Sequence, residues 1–238
     1  MEQSAGNGVR REGGSGRRTQ SFMEADADRK IFRKKIFLAA IIPGILVALM
    51  WLVKICEVLF DINLTESGIY PLMARGLPGI FLSPFIHANF GHLFNNTLPL
   101  FLLGTALFYF YPEVALKVLG WTYILTGFMV WIAGREAWHI GASGLVYGLA
   151  SFLFFSGILR KHLRLIALSL LIVFLYGSMV WGLFPGVYRN VSWESHMLGF
   201  VSGVVLALIY RKEGPQAPVY EWQEEDDEDD ARSENSAG

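Results

Sequence analysis

Between residues 36 and 210 the chain alternates long apolar stretches with short polar ones. Ile36–Val53, Leu93–Tyr111, Val114–Ala133, Gly141–Leu159 and Leu165–Leu183 each approach the roughly 20 apolar residues that carry a helix across a bilayer. A sixth stretch, residues 195–210, is short and can be extended back to Val191. The pattern predicts an all-α membrane protein, a bundle of six transmembrane helices. Pro43 and Pro99 fall inside predicted helices, which membrane helices tolerate better than soluble ones. Residues 1–30 are rich in Gly, Ser, Arg and acids and show no apolar periodicity, so they are expected to be disordered. The chain then divides into a basic arm (1–35), a six-span domain (36–210) and an acidic tail (211–238) that is also expected to be disordered.

Composition agrees with the pattern: 53% of the 238 residues are hydrophobic and 17% charged, and the apolar share is concentrated in the middle. The net charge of −1 conceals a polarised chain. Nine Lys/Arg precede residue 36, and seven consecutive acids run from Glu224 to Asp230. A basic arm can bind nucleic acid. Here it abuts an apolar span, so it reads as a topology signal, and no nucleic-acid partner is expected. With both termini cytoplasmic, sixteen basic residues lie inside, and Lys54, Arg75, Arg135 and Arg189 lie outside. That bias predicts this orientation in the cell (plasma) membrane. Asp61 to Gly91 then forms a long external first loop. Its prolines and its bulky residues Ile80, Phe81, Leu82, Phe85 and Ile86 suit the membrane interface. Cys56 is the single cysteine, which excludes an intrachain disulfide or a multi-cysteine metal site. The N-terminal sequence lacks a short apolar segment with a small-residue cleavage site, so no removable signal peptide is expected.

Polar groups inside spans are expensive, and a functional role is the default hypothesis for them. Three sets stand out. The second span opens with His92-Leu93-Phe94-Asn95-Asn96, preceded by His87. The fourth opens with Gly141-Ala142-Ser143-Gly144, followed by Tyr147 and Gly148. The sixth holds His196-Met197-Leu198-Gly199 and Gly203. Taken singly, each has a plain structural reading. A serine in a membrane helix commonly bonds its own backbone, Gly-x-x-x-Gly pairs commonly mark helix packing, and one boundary histidine can be interfacial.

Together they read differently. His92 and Asn96 are four residues apart, as are Ser143 and Tyr147, so each pair shares a helix face. All three sets lie near the outer ends of their spans. The glycines would let spans four and six approach, bringing the Ser143 hydroxyl to the His196 imidazole as nucleophile and base. His92, Asn96 and the Ser143 backbone N–H could hold a developing oxyanion. Asn95 points about 100° away from Asn96 around the helix.

At these residues the chain resembles the rhomboid family of intramembrane serine proteases. The matching features are His87, His92-x-x-x-Asn96, Gly141-x-Ser143-Gly144, Tyr147 and His196-x-x-Gly199-x-x-x-Gly203, in that order, and the likeness runs from about Ile36 to Tyr210. The resemblance implies a Ser143–His196 dyad without an acidic third member. It further implies an oxyanion hole matching Ser143, His92 and Asn96, an aromatic at Tyr147 supporting the imidazole, and a supporting role for His87. Many members carry a Trp-Arg pair in the first external loop, where this chain reads Tyr70-Pro71-Leu72-Met73-Ala74-Arg75-Gly76. The expected activity is hydrolysis of membrane-protein substrates, chiefly single-span ones, with no cofactor or metal. The alternative is a catalytically silent protein of the same architecture that binds membrane clients; loss of the Ser or His would mark it, and both are present. Glu194 lies two residues from His196, on another helix face, and is not enlisted. A channel or transporter would be expected to show repeat symmetry or buried mid-membrane charge.

Overall fold

The computed structural model describes residues 14–161, 163–185 and 192–215. The chain divides into two compact units, Met1–Leu38 and Ala39–Gly238. Helix α1 (Gly14–Leu59) begins well before Ile36. Much of the stretch expected to be disordered is therefore helical. Lack of apolar periodicity removes a packing face, but no glycine or proline interrupts Arg17–Ile42, and Asp26 and Lys30 pair at 2.8 Å one turn apart. Residues 1–13 and the acidic tail from residue 216 lie outside the described residues.

In the second unit, α1 leads into a folded connector rather than an extended loop. It contains 3₁₀ turns at Thr65–Ser67, Ala74–Gly76 and Ser83–Phe85, and a one-turn helix α2 (Gly79–Leu82). Buried Lys54 anchors it: its Nζ donates to the His87 carbonyl at 2.9 Å and reaches Glu57 Oε2 at 3.2 Å, while Glu57 Oε1 accepts from the Leu64 N–H at 3.0 Å. This ion pair persists away from water because its remaining valences are filled by backbone groups. Where the Trp-Arg pair is missing, the Arg75 guanidinium lies over two rings, Tyr70 at 4.7 Å and Trp138 at 5.2 Å. Trp138 comes from a distant loop. An isolated bridge pairs Ile69 with His139, so the connector is tied to the segment just before Ser143.

Four apolar helices follow in order: α3 (Phe90–Phe110), α4 (Ala115–Ala133), α5 (Ser143–Leu159) and α6 (Leu163–Tyr176). The fifth predicted span does not continue as α-helix to Leu183; it tightens into a 3₁₀ segment, Gly177–Leu183. Helix α7 (Trp193–Ile209) completes the order. Pro43 and Pro99 both sit inside helices, and Pro43 fits against Gly104, where a Cβ would lie 2.8 Å from the proline ring. Leu93, Leu100, Leu103, Leu107, Leu149, Phe152 and Leu206 build the interior.

Large apolar side chains also cover the outside, among them Phe94, Leu98, Trp121, Phe128, Phe174 and Val205. A water-soluble monomer rarely exposes so many large apolar side chains. Helices α3, α4 and the Asp26–Leu59 part of α1 are long and apolar enough to cross a bilayer, and α5 and α7 are apolar at 17 residues each. These features are those of an integral membrane protein. At the end remote from Ser143, Arg160 ties α5 to the end of α7, donating to the Tyr210 carbonyl at 2.6 Å and to Ser156 Oγ at 2.9 Å.

Candidate active site

The site is set by the parallel pair α5 and α7. Ser143 opens α5, and His196 lies in the first turn of α7. Their backbones touch because glycines face each other. A Cβ at Gly199 would collide with the Gly144 carbonyl and lie 3.1 Å from the Gly144 Cα. One turn on, a Cβ at Gly203 would strike the Gly148 carbonyl and Ser151 Oγ. Ser151 Oγ sits 2.9 Å from the Phe200 carbonyl, a polar stitch beside the glycine faces. These contacts hold only for residues without a side chain.

This approach brings Ser143 Oγ to 2.8 Å from His196 Nε2. The other ring nitrogen, Nδ1, lies 2.9 Å from the Gly182 carbonyl. A carbonyl oxygen only accepts, so Nδ1 carries the proton and Nε2 offers its lone pair to the serine hydroxyl. Gly182 thus orients the imidazole as a carboxylate does in a three-membered site. Sequence reasoning missed it, since a backbone carbonyl leaves no residue-type signature; the only trace is the glycine itself, where a Cβ would meet the Tyr147 hydroxyl and His196 Nδ1. The Tyr147 ring stacks on His196 with centroids 4.2 Å apart and planes 11° from parallel. Glu194 bonds elsewhere, with Oε1 3.5 Å from Arg135 Nε.

Gly141 precedes the serine with φ +105°, a conformation that favours glycine. Its N–H donates to the Ser83 carbonyl at 2.8 Å, and a Cβ there would lie 2.7 Å from the His92 ring. That turn starts α5 at Ser143, whose N–H belongs to the first turn and has no acceptor within the helix. Asn89 caps α3 by accepting the His92 N–H at 2.8 Å, which fixes the turn bearing His92. His87 meets the His92 ring edge to face at 5.0 Å, and its Nδ1 donates to the Phe85 carbonyl at 3.3 Å. Burial away from water, helped by neighbouring His92 and Lys54, pushes His87 down to about 4, so it is neutral at pH 7.

The two asparagines sit in different settings. Asn96 is buried, and its amide donates one N–H to the His92 carbonyl at 3.0 Å, within its own helix. Asn95, expected to face away, lines a cavity of about 830 Å³ together with His92, Arg135, Trp138, His139, Ser143 and Ser192. Around the cavity runs a polar network that the sequence did not reveal. His139 Nε2 donates to the Arg135 carbonyl at 3.0 Å, so its Nδ1 accepts from Ser192 Oγ at 2.5 Å. Ser192 in turn caps α7, accepting the Ser195 N–H at 3.3 Å. His139 stands four residues before Ser143 and Ser192 four before His196, so this contact clasps the two approaches to the pair. Among the described residues no group of three or more His, Cys, Asp or Glu could hold a metal ion.

Residues 75–213 match the Rhomboid domain. The chain belongs to the rhomboid family. Members are generally intramembrane serine proteases. Similar sequences include uncharacterized proteins of Mycobacterium bovis and Mycobacterium tuberculosis, each 35% identical over 175 residues that cover 68% of this chain and 71% of theirs. An uncharacterized protein of Mycobacterium leprae is 33% identical over 171 residues, covering 68% of this rhomboid and 67% of its own length.

Proposed function

We propose that this rhomboid is an active intramembrane serine endopeptidase that cuts membrane proteins, chiefly single-span ones, in or near their transmembrane segments. The observation that carries this reading is the His196 bridge, with Nε2 2.8 Å from the Ser143 hydroxyl and Nδ1 2.9 Å from a carbonyl. Ser143 Oγ attacks the scissile carbonyl while Nε2 takes its proton. His196 then gives that proton to the departing amine, and water, activated by the same nitrogen, releases the acyl group. The imidazolium formed in between is held by the Gly182 carbonyl through Nδ1 and by the Tyr147 face. The Ser143 N–H, His92 and the second N–H of Asn96 receive the oxyanion.

In this reading six spans place both termini in the cytoplasm of a plasma-membrane protein, with the site toward the outside. Helices α5 and α7, at 17 residues each, rise about 26 Å. That falls short of a hydrocarbon core of about 30 Å. Helix ends that stop short of the surface leave depth for water above the serine, and the polar cavity wall can retain it. A substrate helix must unwind to present its carbonyl, so segments with helix-weakening residues near the outer boundary are the expected targets.

The test is incubation in detergent or liposomes with a panel of single-span proteins, comparing the intact enzyme with Ser143→Ala and His196→Ala. Cleavage by the intact chain alone supports the reading. Equal cleavage by the folded Ser143→Ala form would remove Ser143 as nucleophile, and no cleavage of any panel member by the intact chain would favour the silent, client-binding alternative.

A further inference from the structure

We infer that Lys54, on α1, is a positioning residue for the oxyanion hole: it holds the turn that bears His92, and the inference rests on the protease reading above. An ammonium has three N–H donors and no acceptor. All three are used here, on the His87 carbonyl at 2.9 Å, the Ala88 carbonyl at 3.3 Å and Glu57 Oε2 at 3.2 Å. Two of them therefore grip consecutive peptide units, and the next residue is Asn89, the cap of α3. Asn89 carries the hold onward. Its side chain accepts the His92 N–H at 2.8 Å, and its carbonyl accepts the Leu93 N–H at 3.1 Å. A second route runs through His87, whose ring lies edge to face against His92 at 5.0 Å.

Packing alone does not fix that turn. Ala88, Asn89, Phe90 and Gly91 are all exposed, and Gly91 has no side chain to anchor. Phe90 keeps a tilted ring contact with Trp51 at 6.1 Å, too loose to set a hydrogen-bond donor. The first buried residue of α3 is Leu93, which comes after His92. Stability does not account for the lysine either. Taking an ammonium and a carboxylate out of water is costly, and replacing such a pair by apolar residues is often neutral or stabilising. Yet Lys54 is 9% exposed and Glu57 6%. What an apolar residue could not supply is a donor to the two carbonyls that lead into α3. Their placement matters because His92 lines the cavity with Ser143, and a shift of about 1 Å in a group that meets the reacting atoms can cost roughly 100-fold in rate.

Lys54→Met alone would leave the Glu57 carboxylate buried and unpaired, so the experiment compares Lys54→Met/Glu57→Gln with Glu57→Gln. The substrate is a single-span protein that the intact enzyme cleaves. Relative to Glu57→Gln, the double variant is expected to lose about ten- to a hundredfold in kcat with KM changed less than about threefold, because the oxyanion exists only in the transition state. In a His92→Ala background the same change should cost less than about twofold, since a residue that acts through His92 then has nothing to position. Lys54→Arg keeps a donor cation and should retain more of the rate than the methionine variant; no such rescue counts against the donor role. A second readout needs no turnover: millisecond hydrogen exchange at the His92 and Leu93 amides should quicken about tenfold in the double variant while the α5 amides stay as they are. Lys54→Gln/Glu57→Gln, polar but too short to reach the carbonyls, gives the same comparison where the methionine variant does not fold. An unchanged kcat, or an equal loss with and without His92, overturns the inference and leaves the protease standing. No turnover in the intact chain, with the faster exchange present, rejects the protease and keeps the hold of Lys54 on the His92 turn. Unchanged exchange overturns that hold.

Discussion

Adding one methyl group at Gly199 is the sharpest probe of how this rhomboid builds its site. In Gly199→Ala the new carbon meets three atoms of Gly144: its carbonyl oxygen, its carbonyl carbon at 2.8 Å and its Cα at 3.1 Å. All three belong to backbone inside a helix, so no side chain can swing aside and α5 and α7 must separate. Overpacking of this kind costs about 1–3 kcal/mol. The functional cost is larger. Ser143 and His196 ride on these two helices and meet at 2.8 Å, and a misplacement of about 1 Å in reacting groups can lower turnover roughly 100-fold. The control is Gly120→Ala on α4, where a Cβ would have nothing within 4 Å. Relieved of the backbone entropy that glycine loses on folding, Gly120→Ala should melt at or slightly above the parent temperature. Melting in detergent and cleavage of a single-span substrate, measured on both, read the two effects separately. If Gly199→Ala melts and cleaves like the parent, the glycine contact does not hold the helices as described.

Three further expectations follow from the same geometry. Asn96→Ala should lower turnover by roughly 10²–10³ with little change in KM if its second amide N–H meets the oxyanion; Asn95→Ala, now seen to line the cavity, should act mainly on KM, and equal turnover losses in the two would remove Asn96 from the site. The fold should weaken in acid. His87 titrates near 4 when folded against about 6.5 when unfolded, so its contribution is complete above pH 6.5 and is lost progressively toward pH 4, up to about 3 kcal/mol. His139, also lowered chiefly by burial, acts in the same direction, so His87→Gln should flatten the acid fall in melting temperature without abolishing it, and an unchanged slope would count against His87. Cysteine labelling in intact cells should find residues 213–238 in the cytoplasm and residues 61–85 outside; termini on opposite sides would end the six-span arrangement.

The sequence by itself determined the membrane class, because long apolar runs have no other stable home and their lengths are set by the bilayer. It also singled out Ser143, His196, His92 and the glycines, since a polar or side-chain-free position inside an apolar run is conspicuous one residue at a time. Helix ends were nearly right where a cap or break is written locally, as at Asn89, and wrong at α1, where nothing in the arm stops a helix. What only the tertiary structure decided are relations between groups that carry no signature of their own. The Gly182 carbonyl that orients His196 is backbone, and every residue has one. Asn95 and Asn96 differ by one step in sequence, yet which of them faces the cavity depends on how α3 is rotated against its neighbours. Glu194 looked idle beside His196 because helical spacing sends it to another face; that face meets Arg135, from a loop 59 residues earlier in the chain, and folding alone brings the two together.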